Sequence, residues 1–155
     1  MRGLRRLAYR LATRSHVFVY RLSGGAIGGG FGKAPVLLLT TRGRRTGKAY
    51  TTPLLYLRDG SRLIVVASSG GADRDPQWWR NLKTHPEASV QVKRDSLAVR
   101  AEQASAEEKQ RLWPLLVQMY KPYQSYQERT AREIPVVVLN SAGPTPPGPG
   151  PAGAS

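Results

Sequence analysis

The sequence predicts a mainly β domain of the α+β class, with helices as insertions, and three observations carry that expectation. Short runs rich in Val, Leu, Ile, Thr and Tyr recur along the chain and are divided by turn signals. One divider, Asp59-Gly60, is a strong hairpin signal, because a tight primed turn needs positive φ. The helical stretches are short and are set off by their own start and stop residues. A chain of 155 residues, 40% of them hydrophobic, suffices for one domain around one core.

Residues 2–22 place Leu4, Leu7, Leu11, Phe18 and Leu22 at roughly helical spacing, with Arg2, Arg5, Arg6, Arg10, Arg14 and Arg21 between them. Such a basic amphipathic segment either covers one side of the domain or lies on an anionic membrane, and the pattern leaves both open. Arg5-Arg6 is not read as an export signal, since Gly24, Gly25, Gly28, Gly29 and Gly30 stand where an apolar segment would follow. Gly24 to Gly32 reads as a joint, so residues 1–32 precede a domain spanning 33–140.

Within the domain, Pro35 to Thr41, Ala49 to Arg58 and Arg62 to Ser68 read as three strands, the last two paired through Asp59-Gly60. Pro53 points to a bulge or an edge, because it has no N–H for a ladder. Asp75-Pro76 reads as a helix start with the carboxylate as cap, and Pro86 closes that helix after His85. Ser89 to Lys93 and Leu97 to Gln103 form a second hairpin around Arg94-Asp95-Ser96. Ser105 with Glu108 makes a capping box for a helix that Pro114 should kink or restart. A further helix over about Pro122 to Arg132 precedes a last strand from Pro135 to Leu139. Residues 141–155, nearly all Pro, Gly, Ala and Ser from Gly143 onward, are expected to be disordered, since they bury too little to offset ordering entropy.

The formal charge of +14 is uneven: residues 1–58 hold 12 of the 24 Lys and Arg and no acid. An anionic partner must therefore meet the N-terminal half, whether nucleic acid, a membrane surface or a polyanionic small molecule. No recognised nucleic-acid motif is present, so nucleic acid is not expected. No apolar run reaches the ~18 residues of a membrane-spanning helix, which directs the chain to the cytoplasm, with contact to the inner face of the cell membrane through residues 2–22 left open. The absence of cysteine removes thiolate, disulfide and iron–sulfur chemistry. His16 and His85 are the only imidazoles, without partners at metal-ligand spacing, so no metal is expected. Ser68 and Ser69 lack a nucleophile-elbow pattern, which argues against hydrolysis. Where side chains cannot perform the hard step, an organic cofactor can.

Two loops offer to hold one. Thr40 to Lys48 is an interstrand turn with Arg42, Arg44, Arg45, Lys48 and two glycines, an anion grip in which guanidinium forks and exposed amides meet one ligand. Ala67-Ser68-Ser69-Gly70-Gly71-Ala72 ends an apolar strand with residues small enough for a flat ring to approach. Alone, the first also has the reading of a solvated basic hairpin tip, and the second is more often a simple turn.

Together with Leu38-Leu39-Thr40-Thr41, Gly43-Arg44-Arg45-Thr46-Gly47, Pro53-Leu54, Asp59-Gly60, Pro76-Gln77-Trp78-Trp79-Arg80-Asn81-Leu82, Val90-Gln91-Val92 and Ile134 to Val138, these loops resemble the deazaflavin-dependent nitroreductase family, whose members act as quinone reductases with coenzyme F-420. The resemblance covers roughly Pro35 to Leu139 and implies a split β-barrel of the flavin-mononucleotide-binding type. It implies coenzyme F-420, a 5-deazaflavin with a phospholactyl-oligoglutamate tail, as cofactor. The tail's anions would meet Arg44, Arg45, Thr46, Gly47 and Lys48. The ring would lie along Val66, Ala67 and Ser68 under Ser69, Gly70 and Gly71, with Pro53, Gln77, Trp78 and Asn81 completing the cofactor site. Two departures stand out: Ser69 replaces a frequent family lysine and Tyr50 an arginine, which implies weaker tail binding.

The resemblance also assigns the acceptor side to Tyr120, Tyr123 and Tyr126, whose phenols can stack on a ring and donate to its oxygen. Leu55, where some relatives place tyrosine, would line the same pocket. The implied activity is hydride transfer from the reduced coenzyme to a quinone-like or nitroaromatic acceptor, with Ser68 and Tyr126 as catalytic groups. The competing reading is a non-catalytic coenzyme- or lipid-binding protein on the same barrel.

Overall fold

The computed structural model describes residues 30–31 and 34–144. The amphipathic segment over 2–22 and the chain beyond Pro144 lie outside the described residues. Strands β1 (Gly30–Phe31), β2 (Ala34–Arg42), β3 (Ala49–Leu55), β4 (Leu57–Asp59) and β5 (Arg62–Val66) come first. A 3-10 turn (Ser69–Gly71) and helix α1 (Gln77–Thr84) follow, then β6 (Glu87–Val92) and β7 (Asp95–Gln103). Helices α2 (Ala106–Met119) and α3 (Pro122–Arg129) precede β8 (Val136–Pro144). Every pairing is antiparallel, in the order β1-β2-β6-β7-β8-β5-β4, with β3 on the other edge of β2. Among the described residues no helix is long and apolar enough to cross a membrane.

The segment expected as one strand from Ala49 to Arg58 is two. Over Ala49–Leu55 it pairs with β2, and after Tyr56 it pairs with β5. Tyr56 donates its amide to the Pro35 carbonyl at 3.1 Å while its ring enters the interior, so the ladder stops there. This change of partner makes the barrel split: chain continuity, not a ladder, joins the two ends of the sheet. Pro53 sits opposite Leu38 on a strand that pairs only with β2, an edge where the missing N–H is tolerated.

Two cores occupy the two faces of the β5 and β8 pair. Leu63, Val65, Val137 and Leu139 point inward with Leu37, Leu39, Tyr56, Trp78, Trp79 and Leu82. Ile64, Val66, Val136 and Val138 point outward beneath Leu112, Leu116 and Tyr123 of the helices. Strand alternation sends successive residues to opposite faces, and burial of both faces explains why these strands read as unbroken apolar runs.

Several boundaries move. The first hairpin turns on Gly60 and Ser61, since Asp59 pairs with Arg62, and Gly60 supplies the positive φ of 61°. The second turns on Lys93 and Arg94, with Val92 opposite Asp95. There Lys93 itself takes φ 54°, a conformation that its residue type does not advertise. Asp75 does not cap α1; the cap is Pro76, and the carboxylate is held instead by Lys83 and Arg132. Only half of the capping box forms, because Ser105 Oγ accepts from the Glu108 amide at 3.1 Å while the Glu108 carboxylate goes to Arg62. Pro114 lies within α2 without ending it. Gln110 and Pro114 are both exposed, so water can satisfy the carbonyl that the proline leaves unbonded. Helix α3 ends at Arg129, short of Arg132, because Arg132 is drawn away to the Ser-Gly loop. Strand β8 runs to Pro144, past Leu139 and into the segment assigned by composition to the tail. Its polar end is held by pairing of Asn140 and Ser141 with Arg100 and Val99, a backbone signal that hydrophobic patterning does not carry.

Candidate functional site

The basic turn joins β2 to β3 and is closed by its own backbone: Gly43 donates to the Lys48 carbonyl at 2.7 Å and Gly47 to that of Gly43 at 2.9 Å. A Cβ on Gly43 would stand 2.5 Å from the Tyr50 ring and 2.8 Å from Thr46 Oγ1, so a larger residue there would displace both side chains. Thr46 is used within the turn, its Oγ1 accepting from the Lys48 amide at 3.2 Å and lying 3.1 Å from the Tyr50 hydroxyl. Tyr50 thus braces the turn with its ring.

The cations divide into two kinds. Arg44 is half-buried: its Nη1 donates to Gln77 Oε1 at 2.7 Å and to Asn81 Oδ1 at 3.0 Å, and its amide donates to the same oxygen. Asn81, only 4% exposed, completes the tie by donating to Thr41 Oγ1 at 3.2 Å. Partial burial, then the charges of Arg80 and Arg45, hold the Arg44 guanidinium below its ordinary pKa. Arg42, Arg45 and Lys48 are exposed and form no ion pair among the described residues. A groove of about 540 Å³ opens at the foot of the turn, with Thr41, Arg42, Gly47, Ala88 and Ala98 in its lining.

The Ser-Gly loop leaves β5 and doubles back. Ser68 has helical φ and ψ of −79° and −36°, after which Ser69, Gly70 and Gly71 all take positive φ, at 46°, 64° and 81°. A Cβ on Gly71 would meet the Tyr126 carbonyl oxygen at 2.8 Å, whereas one on Gly70 would meet nothing within 4 Å. The loop therefore presses on α3 through Gly71 and keeps an open side at Gly70. Val66, Ala67 and Ser68 are buried, Val66 in the outer core and Ala67 in the inner one. Trp78 is buried too, its ring in the inner core and edge-on to Trp79.

Sequence reasoning missed Arg132. Its Nη2 donates to the carbonyls of Ser68 at 2.9 Å and Ala67 at 3.2 Å, its Nε to that of Ala72 at 2.7 Å, and its Nη1 to Asp75 at 3.0 Å. Nothing local singles it out: it stands in a loop before Pro135, 57 to 65 residues from its partners.

The phenols gather where α2 meets α3. Tyr120 caps the end of α2 in extended conformation, so the three tyrosines converge from two helices and not along one. Ring centroids of Tyr120 and Tyr123 lie 5.0 Å apart, and the hydroxyls of Tyr120 and Tyr126 lie 3.4 Å apart. Tyr123 is 5% exposed, and burial, then its two tyrosine neighbours, push its phenol far above the usual range. The hydrogen bond with Tyr126, then burial, raises Tyr120. Leu55 packs on the same cluster as the three tyrosines and Val66. Arg129 stands over the Tyr126 ring at 5.7 Å. The structure thus unites Leu55, Val66, Gly71 and the phenols at one end, and Arg44, Gln77 and Asn81 at the other. Pro53 belongs to the ladder with β2 and not to the loops.

These features suit a ligand with a polyanionic tail and a flat ring. Exposed cations without ion-pair partners among the described residues suit an anionic group, and an open glycine beside a loop seated on phenols leaves room for a flat one. Comparison with known proteins shows the family. A family profile described as F420H(2)-dependent quinone reductase matches residues 12–141. A protein of Mycobacterium tuberculosis named as an F420H(2)-dependent quinone reductase is 46% identical over 114 residues, 73% of this chain and 96% of that protein. A solved structure titled as an F420-H2 dependent reductase superposes with a TM-score of 0.64 at 36% identity, covering 68% of this chain and 94% of the other. An FAD-binding protein from Mesorhizobium loti, at 16% identity and a TM-score of 0.50 over 70% of this chain and 79% of that one, shares the fold.

Proposed function

The chain belongs to the F420H(2)-dependent quinone reductase family, and we propose that it passes hydride from reduced coenzyme F-420 to a quinone-like or nitroaromatic acceptor. It is an oxidoreductase that uses this coenzyme, as its family does. The observation that carries the finer reading is one continuous arrangement: free cations on a turn that Arg44 ties to α1, and a Ser-Gly loop seated by Gly71 on the tyrosine helix.

In this reading Arg45 and Lys48, with Arg42 beside them, hold the phosphate and glutamate carboxylates by charge-assisted hydrogen bonds. Arg44 fixes the turn to α1 instead of gripping the tail at full strength. The loop at Gly70 leaves room for the ring, and the buried phenol of Tyr123 forms a wall with Leu55. When bound, the reduced deazaflavin supplies hydride. The protein's part is to hold donor and acceptor at ~3 to 3.5 Å and keep water from between them. Negative charge then develops on an acceptor oxygen, where the Tyr126 hydroxyl, adjoining that of Tyr120, donates a hydrogen bond. Tyr123 stays protonated and enclosed, so it shapes the pocket without exchanging a proton. Ser68 is mostly buried and acts through its position at the loop's first turn.

The test is direct. Purified protein is mixed with reduced coenzyme F-420 and either menadione or a nitroaromatic, and return of the oxidised coenzyme's absorbance is followed. Turnover with either acceptor is expected. Tight binding without oxidation by any acceptor would replace the proposal by the non-catalytic reading, and no binding would remove it.

A further inference from the structure

Arg132 lies outside every motif that marks this chain, and its side chain is only 16% exposed. It spends four hydrogen bonds on one loop: three on carbonyls of Ala67, Ser68 and Ala72, and one on Asp75, which anchors the far end. Lys83 holds the other oxygen of Asp75 at 2.9 Å, so the carboxylate is fixed from two sides. Thr130 adds a second tie, donating to Asp73 at 3.1 Å.

We propose that Arg132 is a positioning residue for the coenzyme ring, setting the loop's peptide planes through the carbonyls of Ala67 and Ser68; this rests on the proposed function above. A trans peptide is planar with its N–H opposed to its C=O. No peptide bond among the described residues is cis. With the oxygens of Ala67 and Ser68 turned to one guanidinium, the amides of Ser68 and Ser69 are turned to the other side of the loop. The loop needs such a fastening, since Ser69 holds a positive φ of 46°, a conformation that is unfavourable for a non-glycine residue. A planar fork with five donors can serve three carbonyls and a carboxylate together, and a lysine cannot.

The full chain is prepared as Arg132→Met, Arg132→Lys and Asp75→Asn. Amide hydrogen exchange over residues 67–75 is measured without coenzyme, and oxidised coenzyme F-420 is titrated by fluorescence. For Arg132→Met, exchange at Ser68 to Ala72 should rise tenfold or more while β5 and β8 keep their protection. Coenzyme affinity should fall at least tenfold, with KM for menadione unchanged. Arg132→Lys and Asp75→Asn should fall between it and the parent in both measurements, and they carry the test should the methionine variant not fold. Unchanged exchange in the loop would overturn the fastening role. Faster exchange with unchanged affinity would overturn its link to the ring. A parent chain that binds no coenzyme would refute the ring assignment and the proposed function together, while the exchange data would still decide whether Arg132 sets the loop.

Discussion

Replacing Arg44 and Arg45 one at a time separates two tasks that adjacent arginines perform. Arg44→Met removes the donor at 3.0 Å from Asn81 Oδ1 and the one at 2.7 Å from Gln77, leaving Asn81 Oδ1 with only the Arg44 amide at 3.2 Å. Because Asn81 is 4% exposed, water cannot readily take over. Losing that charge-assisted donor to a buried acceptor should lower Tm by several degrees in a domain of this size. Arg45 is exposed and without an ion pair among the described residues, so Arg45→Ala should leave stability within about 0.5 kcal/mol. Its loss should appear in coenzyme affinity instead, at about 1 kcal/mol or roughly fivefold, and should shrink as salt screens the exposed charge. Thermal unfolding and fluorescence titration of coenzyme F-420 at low and high salt read out both effects. The reasoning is refuted if Arg45→Ala is the less stable variant, or if Arg44→Met unfolds like the parent.

Two further outcomes follow from geometry already described. Gly71→Ala should destabilise by several times as much as Gly70→Ala in denaturant unfolding. Both positions have positive φ, but only the first would drive a Cβ into the Tyr126 backbone, at 2.8 Å; equal losses would show that the loop yields freely. Asp59 is held down to about 2, first by hydrogen bonds from Arg111 and Arg62. Its folded pKa lies below its unfolded one, so its contribution is complete above roughly pH 5 and disappears as pH falls toward 2. Asp59→Asn should therefore be less stable than the parent at pH 7 and converge with it near pH 2, by urea midpoints across that range. A constant gap at all pH values would mean that the carboxylate's charge contributes nothing.

What the sequence made legible was whatever depends on local pattern. Most of the strands, both hairpins and the two candidate loops follow from alternation and turn residues, whereas the two-residue β1 lies within the glycine-rich stretch read as a joint; the tyrosines are marked by the family resemblance and not by local pattern. Tertiary partners decided the rest. Asp75 reads as a cap because Asp before Pro usually is one, yet Arg132 and Lys83 compete for the carboxylate from elsewhere in the chain. Arg44 reads like Arg45, since the two differ only in what α1 brings against them. Tyr56 breaks its strand because a barrel needs the change of partner, and no residue there announces it. Arg132 is invisible for the same reason: its partners, three carbonyls and a carboxylate, lie 57 to 65 positions earlier.

Strand β8 lies between β7 and β5, in the middle of the sheet order, although it is the last strand along the described chain. During synthesis, then, β5 and β7 emerge with their mutual neighbour still inside the ribosome. Until about residue 144 has cleared the exit tunnel, the nascent barrel exposes two unpaired edges beside valine-rich faces, the kind of surface that holdase chaperones bind and that aggregates when left uncovered.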